Sequence, residues 1–129
     1  MSEEHQDTPG TPVTVSLDSA EPISAYIVST AGGEQEGRAE FLESGMPGQA
    51  RIFFHTEVDP ASRGRGLGAI LVRQALADSI RDGVPVVPVC ALFARYLEQH
   101  GAEFLEAGGN YREPTAADIA LLKQVTGRA

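Results

Sequence analysis

The chain has little cysteine and little positive charge, and both shortages exclude classes of protein. Its 129 residues include one cysteine, Cys90, which rules out an internal disulfide bond and a metal site made of several cysteines. Lys and Arg number 10 against 18 Asp and Glu, and the net charge of −8 argues against non-specific binding to nucleic acid. The acidic balance suits either a cationic partner, such as an amine, or solubility alone. We predict no metal site.

Long apolar runs are also missing. No stretch approaches the roughly 18 apolar residues of a membrane span, and the polar, acidic residues 1–10 lack the apolar segment of a secretory signal. We therefore expect a cytoplasmic protein that does not contact membranes. The 42% of apolar residues is typical of one soluble domain. We expect a disordered acidic tail over 1–12, a core domain over 13–110 and a helical extension over 111–129.

The first half of the core domain is rich in β-branched and aromatic residues, which predict strands over 23–28, 38–43 and 51–58. A loop over 31–37 and a turn over 44–48 separate them, so the strands predict an antiparallel meander. Residues 13–17 alternate between apolar and polar side chains. They form either a short strand or an ordered part of the tail.

The second half predicts helices over 66–81, 91–100 and 115–125, of which the second ends at Gly101 and the last is capped by Thr115. A strand over 84–90 lies between the first two helices, and residues 104–105 predict a further short strand. Pro85 and Pro88 cannot donate backbone hydrogen bonds, which implies an edge, a bulge or a splayed strand. The elements predict an α/β fold with a mixed, mostly antiparallel sheet and a central strand–helix–strand unit.

A glycine-rich loop joins the strand over 51–58 to the first helix. Glycines beside the unpaired N–H groups and positive dipole of a helix N-terminus predict a seat for the pyrophosphate of a cofactor. Residues 64–69 also match the dinucleotide pattern G-x-G-x-x-A, but that interpretation needs an acidic residue closing the next strand, where this chain has Cys90. A P-loop is excluded because no Gly-Lys-Ser/Thr follows. A tight turn that binds no ligand is the remaining alternative.

The same loop, Arg63 to Gly68, has the pattern R-x-x-G-x-G. Together with His55-Thr56-Glu57-Val58 before it and Pro88-Val89-Cys90 after it, it resembles a compact, single-domain subgroup of the GNAT N-acetyltransferase superfamily. The resemblance covers about residues 24–105. It implies a compact GNAT fold with splayed cleft strands, acetyl-CoA as cofactor, and transfer of an acetyl group to an amine of a small molecule, peptide or protein. We expect a monomer or a homodimer.

The resemblance also implies where acetyl-CoA binds. Pantetheine would lie between the two splayed strands, hydrogen-bonded to the backbone near Val58. The pyrophosphate would take backbone N–H groups from the loop and the first turn of the helix. The predicted cofactor-binding residues are Val58, Arg63, Gly64, Arg65, Gly66, Leu67, Gly68 and Ala69.

Four residues are candidates for catalysis. Strict strand alternation places His55 and Glu57 on the face of Phe53, and either could accept a proton from the amine. Cys90 is either a nucleophile activated by His55 or a small residue that lines the pocket. The resemblance suggests Tyr96 as the acid.

The chain also departs from the superfamily pattern. Many members carry an Asn after the second cleft strand, which this chain lacks, and Tyr96 is about one residue out of register. The N-terminal half is short, so we expect an open, shallow acceptor site. The alternative function is therefore a CoA-binding module with little or no catalysis and a regulatory or interaction role, and a protein-interaction domain without a cofactor is a third.

Overall fold

A computed structural model describes residues 2–6, 12–44, 49–60, 64 and 66–127. Six strands form one sheet in sequence order, and three helices pack against it. The strands are β1 (Ser2–Gln6), β2 (Pro12–Asp18), β3 (Ser24–Thr30), β4 (Gln35–Glu43), β5 (Arg51–Val58) and β6 (Val86–Pro88). The helices are α1 (Leu67–Asp82), α2 (Ala91–Glu106) and α3 (Ala116–Thr126).

The sheet is an antiparallel meander from β1 to β5, and β6 lies parallel to β5. A parallel neighbour requires a crossover, and α1 provides it. The predicted mixed, mostly antiparallel sheet with a strand–helix–strand unit is thereby confirmed, but the meander is longer than expected. Residues 12–18 form a strand, and β4 begins at Gln35 within the predicted loop.

The N-terminal tail differs from the expected disorder, because Ser2–Gln6 pairs antiparallel with β2. Its polar, acidic composition gave no sign of a strand. Backbone pairing depends on the hydrogen-bonding edge that β2 offers, which composition does not record. Residues 7–11 of the tail, and residues 45–48 of the predicted turn, lie outside the described residues.

Both faces of the sheet carry helices, and we name the faces by what covers them. The helix face holds α1 and α2 over a core that includes Val28, Phe41 and Phe53. The other face, which we call the open face, is covered by α3 where Leu122 packs with Leu42 and Ile52. The rest of the open face, over β3 and β4, carries no helix in the part of the chain that the structure describes.

The second helix was predicted incorrectly. It continues through Gly101 to Glu106, so the short strand expected over 104–105 is the last turn of α2. Phe104 is buried in the core and holds that turn in place. Position 101 requires a glycine although it lies within the helix, because the Tyr111 hydroxyl occupies the space that a Cβ atom would need. This close approach between distant residues is a tertiary contact, and the glycine therefore looked like a helix end in the sequence.

The third helix begins as predicted. Thr115 caps it through a hydrogen bond from the Asp118 backbone N–H, and the Asp118 carboxylate accepts one from the Thr115 N–H at 2.8 Å. Arg112 forms a bidentate ion pair with the two carboxylate oxygens of Asp118, at 2.7 and 3.1 Å. These bonds lower the pKa of Asp118 to about 2, with the Arg112 contact the largest cause. They fix the start of α3 beside β6, where Tyr111 bridges to Val86.

Candidate active site

β5 continues to Val58 after β6 ends at Pro88, and we call the space beside this further length of β5 the cleft. Their parallel pairing runs from Arg51 and Val86 to Phe53 and Pro88, and no described strand pairs with β5 on that side beyond this point. The Phe53 carbonyl closes the paired region by accepting hydrogen bonds from both the Val89 and Cys90 N–H groups, at 3.0 and 2.8 Å. β6 spans only Val86–Pro88 rather than 84–90, and the chain begins α2 at Ala91.

A β-bulge on β5 changes which face the candidate base residues occupy. Phe41 pairs with Phe53, but Glu40 pairs with His55, so Phe54 is an extra residue on β5. The bulge reverses the alternation beyond it. Thr56 and Val58 therefore share the helix face with Phe53, and His55 and Glu57 lie on the open face.

The predicted face assignment is corrected accordingly. His55 and Glu57 are neighbours, as expected, but they do not share a face with Phe53. The prediction assumed that side chains alternate strictly between the two faces of the strand. A bulge breaks this alternation, and only the pairing with β4 reveals the bulge.

His55 and Glu57 form a contact at the surface of the open face. The His55 Nε2 and Glu57 Oε1 atoms are 2.9 Å apart, and the side chains are 34% and 66% exposed. Across the strand pair, Glu40 lies opposite His55 and Arg38 lies opposite Glu57. Arg38 and Glu40 make their own ion pair at 3.5 Å. A solvent-accessible imidazole beside a carboxylate can accept a proton from an approaching amine.

Cys90 lies on the other side of the cleft and contacts Thr56 rather than His55 in the described interactions. The Cys90 Sγ and Thr56 Oγ1 atoms are 3.2 Å apart, a hydrogen bond in which either can donate. Cys90 also packs against the core of the helix face and is partly buried. This position fits a pocket-lining thiol held by a hydroxyl, and Thr56 is a contact that sequence reasoning did not single out.

The glycine loop leads into the N-terminus of α1. Gly64 and Gly66 have φ angles of 88° and 74°, in the left-handed region that favours glycine. Gly66 is the N-cap residue, no described side chain caps the helix, and no acidic residue occupies its first turn. Among the described residues, the first turn of α1 therefore has neither a side-chain cap nor an acidic side chain at the positive end of the helix dipole. Arg63 and Arg65 lie outside the described residues.

The remaining predicted cofactor residues lie in the first turn of α1 and at the end of β5. Leu67 is buried in the core, and a Cβ atom on Gly68 would lie 3.1 Å from the Leu92 side chain of α2. Gly68 therefore lets the start of α1 approach α2 closely. Ala69 follows in the first turn. At the end of β5, Val58 lines a concavity of about 400 Å³ with Thr56, Glu57, Asp59 and Pro60.

Tyr96 lies on the core side of α2. It packs against the helix-face core, and its ring stacks at a tilt on His100 with centroids 4.6 Å apart. Cys90, Leu92 and Tyr96 belong to the same group of partly buried side chains around the core. Tyr96 is thus on the helix face, opposite to His55 and Glu57.

The chain matches the model of a known protein family. The model of the GCN5-related N-acetyl-transferases matches residues 25–106, which is more than half of the chain. The chain therefore belongs to the GCN5-related N-acetyltransferase family. No curated protein matches the chain.

The matched region runs from β3 to the last residue of α2, so it contains the cleft, the glycine loop and all four candidate catalytic residues. β1, β2 and α3 lie outside it. Membership supports an acetyltransferase-type function, and the family generally uses acetyl-CoA. In the described residues, no helix is long and apolar enough to cross a membrane, and no group of three or more His, Cys, Asp or Glu side chains could hold a metal ion.

Proposed function

We propose that this protein is an acetyl-CoA-dependent N-acetyltransferase. The observation that carries the proposal is that β5 continues beyond the end of β6 toward the N-terminus of α1, where no described side chain caps the helix. In this proposal, the free edge of β5 hydrogen-bonds to the pantetheine of acetyl-CoA. The N-terminus of α1 binds the pyrophosphate of the same molecule. Val58 lies at the end of that edge, and the described part of the predicted pyrophosphate site comprises Gly64 and the backbone from Gly66 to Ala69. Membership in the family makes acetyl-CoA the expected ligand.

The division of the candidate residues between the two faces supports a direct transfer. Acetyl-CoA supplies a thioester whose carbonyl carbon the amine nitrogen attacks; the N–C bond forms as the C–S bond breaks. His55 and Glu57 on the open face take up the proton released from the amine. The thiolate of CoA then takes a proton from Tyr96 or from water. Cys90 serves as a pocket residue in this scheme.

The alternative, a CoA-binding module with little catalysis, has one specific observation in its favour. Tyr96 packs against the core and stacks on His100, and this arrangement can hold the ring for structural reasons alone. A thiol-release assay with acetyl-CoA and primary amines separates the two functions. The enzyme produces free thiol in proportion to the amine, whereas the module binds acetyl-CoA without releasing thiol above the rate of the buffer.

Calorimetry with acetyl-CoA tests the seat, and the chain offers a closely matched control. Gly64 and Gly33 have φ angles of 88° and 90°, and a Cβ atom at either position meets nothing within 4 Å. Gly64→Glu and Gly33→Glu therefore add the same charge at a similar backbone strain, but only the first lies in the seat. We expect acetyl-CoA affinity to fall at least about tenfold in Gly64→Glu and to be unchanged in Gly33→Glu.

Two results would contradict the proposal. One is wild-type protein that does not bind acetyl-CoA or CoA. The other is equal affinity in the two glutamate variants, which would place the ligand elsewhere. Gly66→Glu provides a second variant in the seat, at the N-cap of α1 itself.

A further inference from the structure

A contact between Thr56 and Cys90 joins the two sides of the cleft. The Oγ1 atom of Thr56 on β5 is 3.2 Å from the Sγ atom of Cys90, which lies two residues beyond the end of β6. The Cys90 N–H also donates a hydrogen bond to the Phe53 carbonyl at 2.8 Å. Cys90 is therefore bound to β5 at two points, and it cannot move away from the strand without losing both bonds.

Thr56 also lines the concavity of about 400 Å³ at the end of β5. The other lining residues follow it in sequence as far as Pro60, so Thr56 is the one closest to the paired part of β5. The bulge turns its side chain to the helix face, where Cys90 packs. The contact between Thr56 and Cys90 therefore lies at the inner end of the concavity, on the side toward Phe53.

Densely packed aromatic rings lie beyond this contact. Phe53 precedes Thr56 on the helix face of β5, and Phe93 lies in the first turn of α2, directly after Cys90. Both rings are fully buried and stack with centroids 4.3 Å apart. Adding methylene groups to a well-packed core displaces side chains and is unfavourable. A ligand group that extends past Thr56 therefore has to displace these rings.

The proposed orientation of the cofactor directs its acyl group toward the same place. β5 runs from Arg51 to Val58, and the N-terminus of α1 follows the end of the strand. A pantetheine arm that starts at this helix and follows β5 from Val58 points its thioester toward Thr56. The acetyl group has one methyl beyond the carbonyl carbon, and each longer acyl group adds methylenes.

We propose that Thr56, held against Cys90, limits the acyl group that the protein accepts to the size of acetyl. The inference rests on the proposed acetyltransferase function and assigns Thr56 a role in acyl specificity, outside proton transfer. Methylenes beyond the acetyl group either separate Thr56 from Cys90 or enter the core at Phe53. Both changes weaken the binding of longer acyl-CoA molecules, and neither affects CoA itself.

Calorimetry of the full chain with CoA, acetyl-CoA and butyryl-CoA tests the inference. No amine is added, so the affinities are measured whether or not the protein catalyses a transfer. The wild type should bind butyryl-CoA about tenfold more weakly than acetyl-CoA. Thr56→Ala removes the hydroxyl and the methyl group and should reduce this ratio to about twofold or less. Thr56→Val keeps a β-branched side chain of similar size and should retain the wild-type ratio.

Thr14→Ala is the matched control, because Thr14 is a half-buried strand threonine on β2, three strands away from β5. It should leave the ratio unchanged. Cys90→Ala opens the same contact from its other side and should lower the ratio, which provides a second variant if Thr56→Ala does not fold.

The inference is overturned if the wild type binds acetyl-CoA and butyryl-CoA equally. It is also overturned if the folded Thr56→Ala and Cys90→Ala variants keep the wild-type ratio. In these results CoA itself still binds. Failure of the proposed function is distinguishable, because the wild type then binds neither CoA nor acetyl-CoA, and the inference falls with it.

Discussion

The ion pair that anchors α3 predicts a measurable dependence of stability on pH. Asp118 has a side chain that is 5% exposed, and its pKa falls from 3.8 to about 2 on folding, chiefly through Arg112. A tenfold change in proton affinity corresponds to about 1.4 kcal/mol, so the ionised carboxylate stabilises the folded state by about 2 kcal/mol. Because the folded pKa is lowered, this stabilisation is complete above about pH 5 and is lost as the pH falls toward 2.

Asp118→Asn isolates that charge. Asparagine has nearly the same shape and keeps one oxygen that can accept the Thr115 N–H bond of the cap. Urea unfolding of the wild type and the variant should differ by about 2 kcal/mol at pH 7 and by about half of that at pH 3. Asp18→Asn, at the exposed end of β2, is the control and should change stability by less than about 0.5 kcal/mol at either pH.

The result that would refute this reasoning is a constant difference between wild type and Asp118→Asn from pH 7 to pH 3. It would mean that the variant loses a contact that does not depend on charge. A difference below about 0.5 kcal/mol at pH 7 would mean that desolvation of the pair cancels its attraction.

Two further predictions concern the buried network and the cleft thiol. Tyr26 donates a 2.7 Å hydrogen bond to Asp78 within the core, and burial together with that bond raises the pKa of Tyr26. Tyr26→Phe should lower the free energy of unfolding in urea by about 1–3 kcal/mol. An unchanged free energy of unfolding would contradict this prediction. Cys90 contacts Thr56, so Cys90→Ala should reduce amine-dependent thiol release by less than about tenfold, below the factor expected for loss of an acid–base group. An acetyl adduct on wild type in intact-mass analysis that is absent from Cys90→Ala, together with loss of activity, would instead establish a nucleophile.

Local sequence patterns were sufficient where a structural feature depends on neighbouring residues. The Thr115 cap and the glycines before α1 are such features, since each concerns groups within about one helical turn. The positive φ angles of Gly64 and Gly66 follow the same rule. The strands β3 and β5 were predicted within two residues of their observed bounds for the same reason.

Pairing between distant segments could not be predicted in this way. The residues of β1 are polar, and only the edge of β2 makes them a strand. Gly101 resembles a helix end until Tyr111 is placed against it. β6 ends at Pro88 although β5 continues to Val58, since the chain leaves β5 there to begin α2 at Ala91.

By itself, the sequence determined the class of fold, the glycine loop at the start of α1, and the residues that could do chemistry. Only the tertiary structure decided how these residues are distributed. The bulge at Phe54 sends His55 and Glu57 to the open face and leaves Thr56 beside Cys90 on the other side. The physical reason is that a strand has no fixed orientation of its own. Which way each side chain points is set by hydrogen bonds to the neighbouring strand, and one inserted residue reverses it.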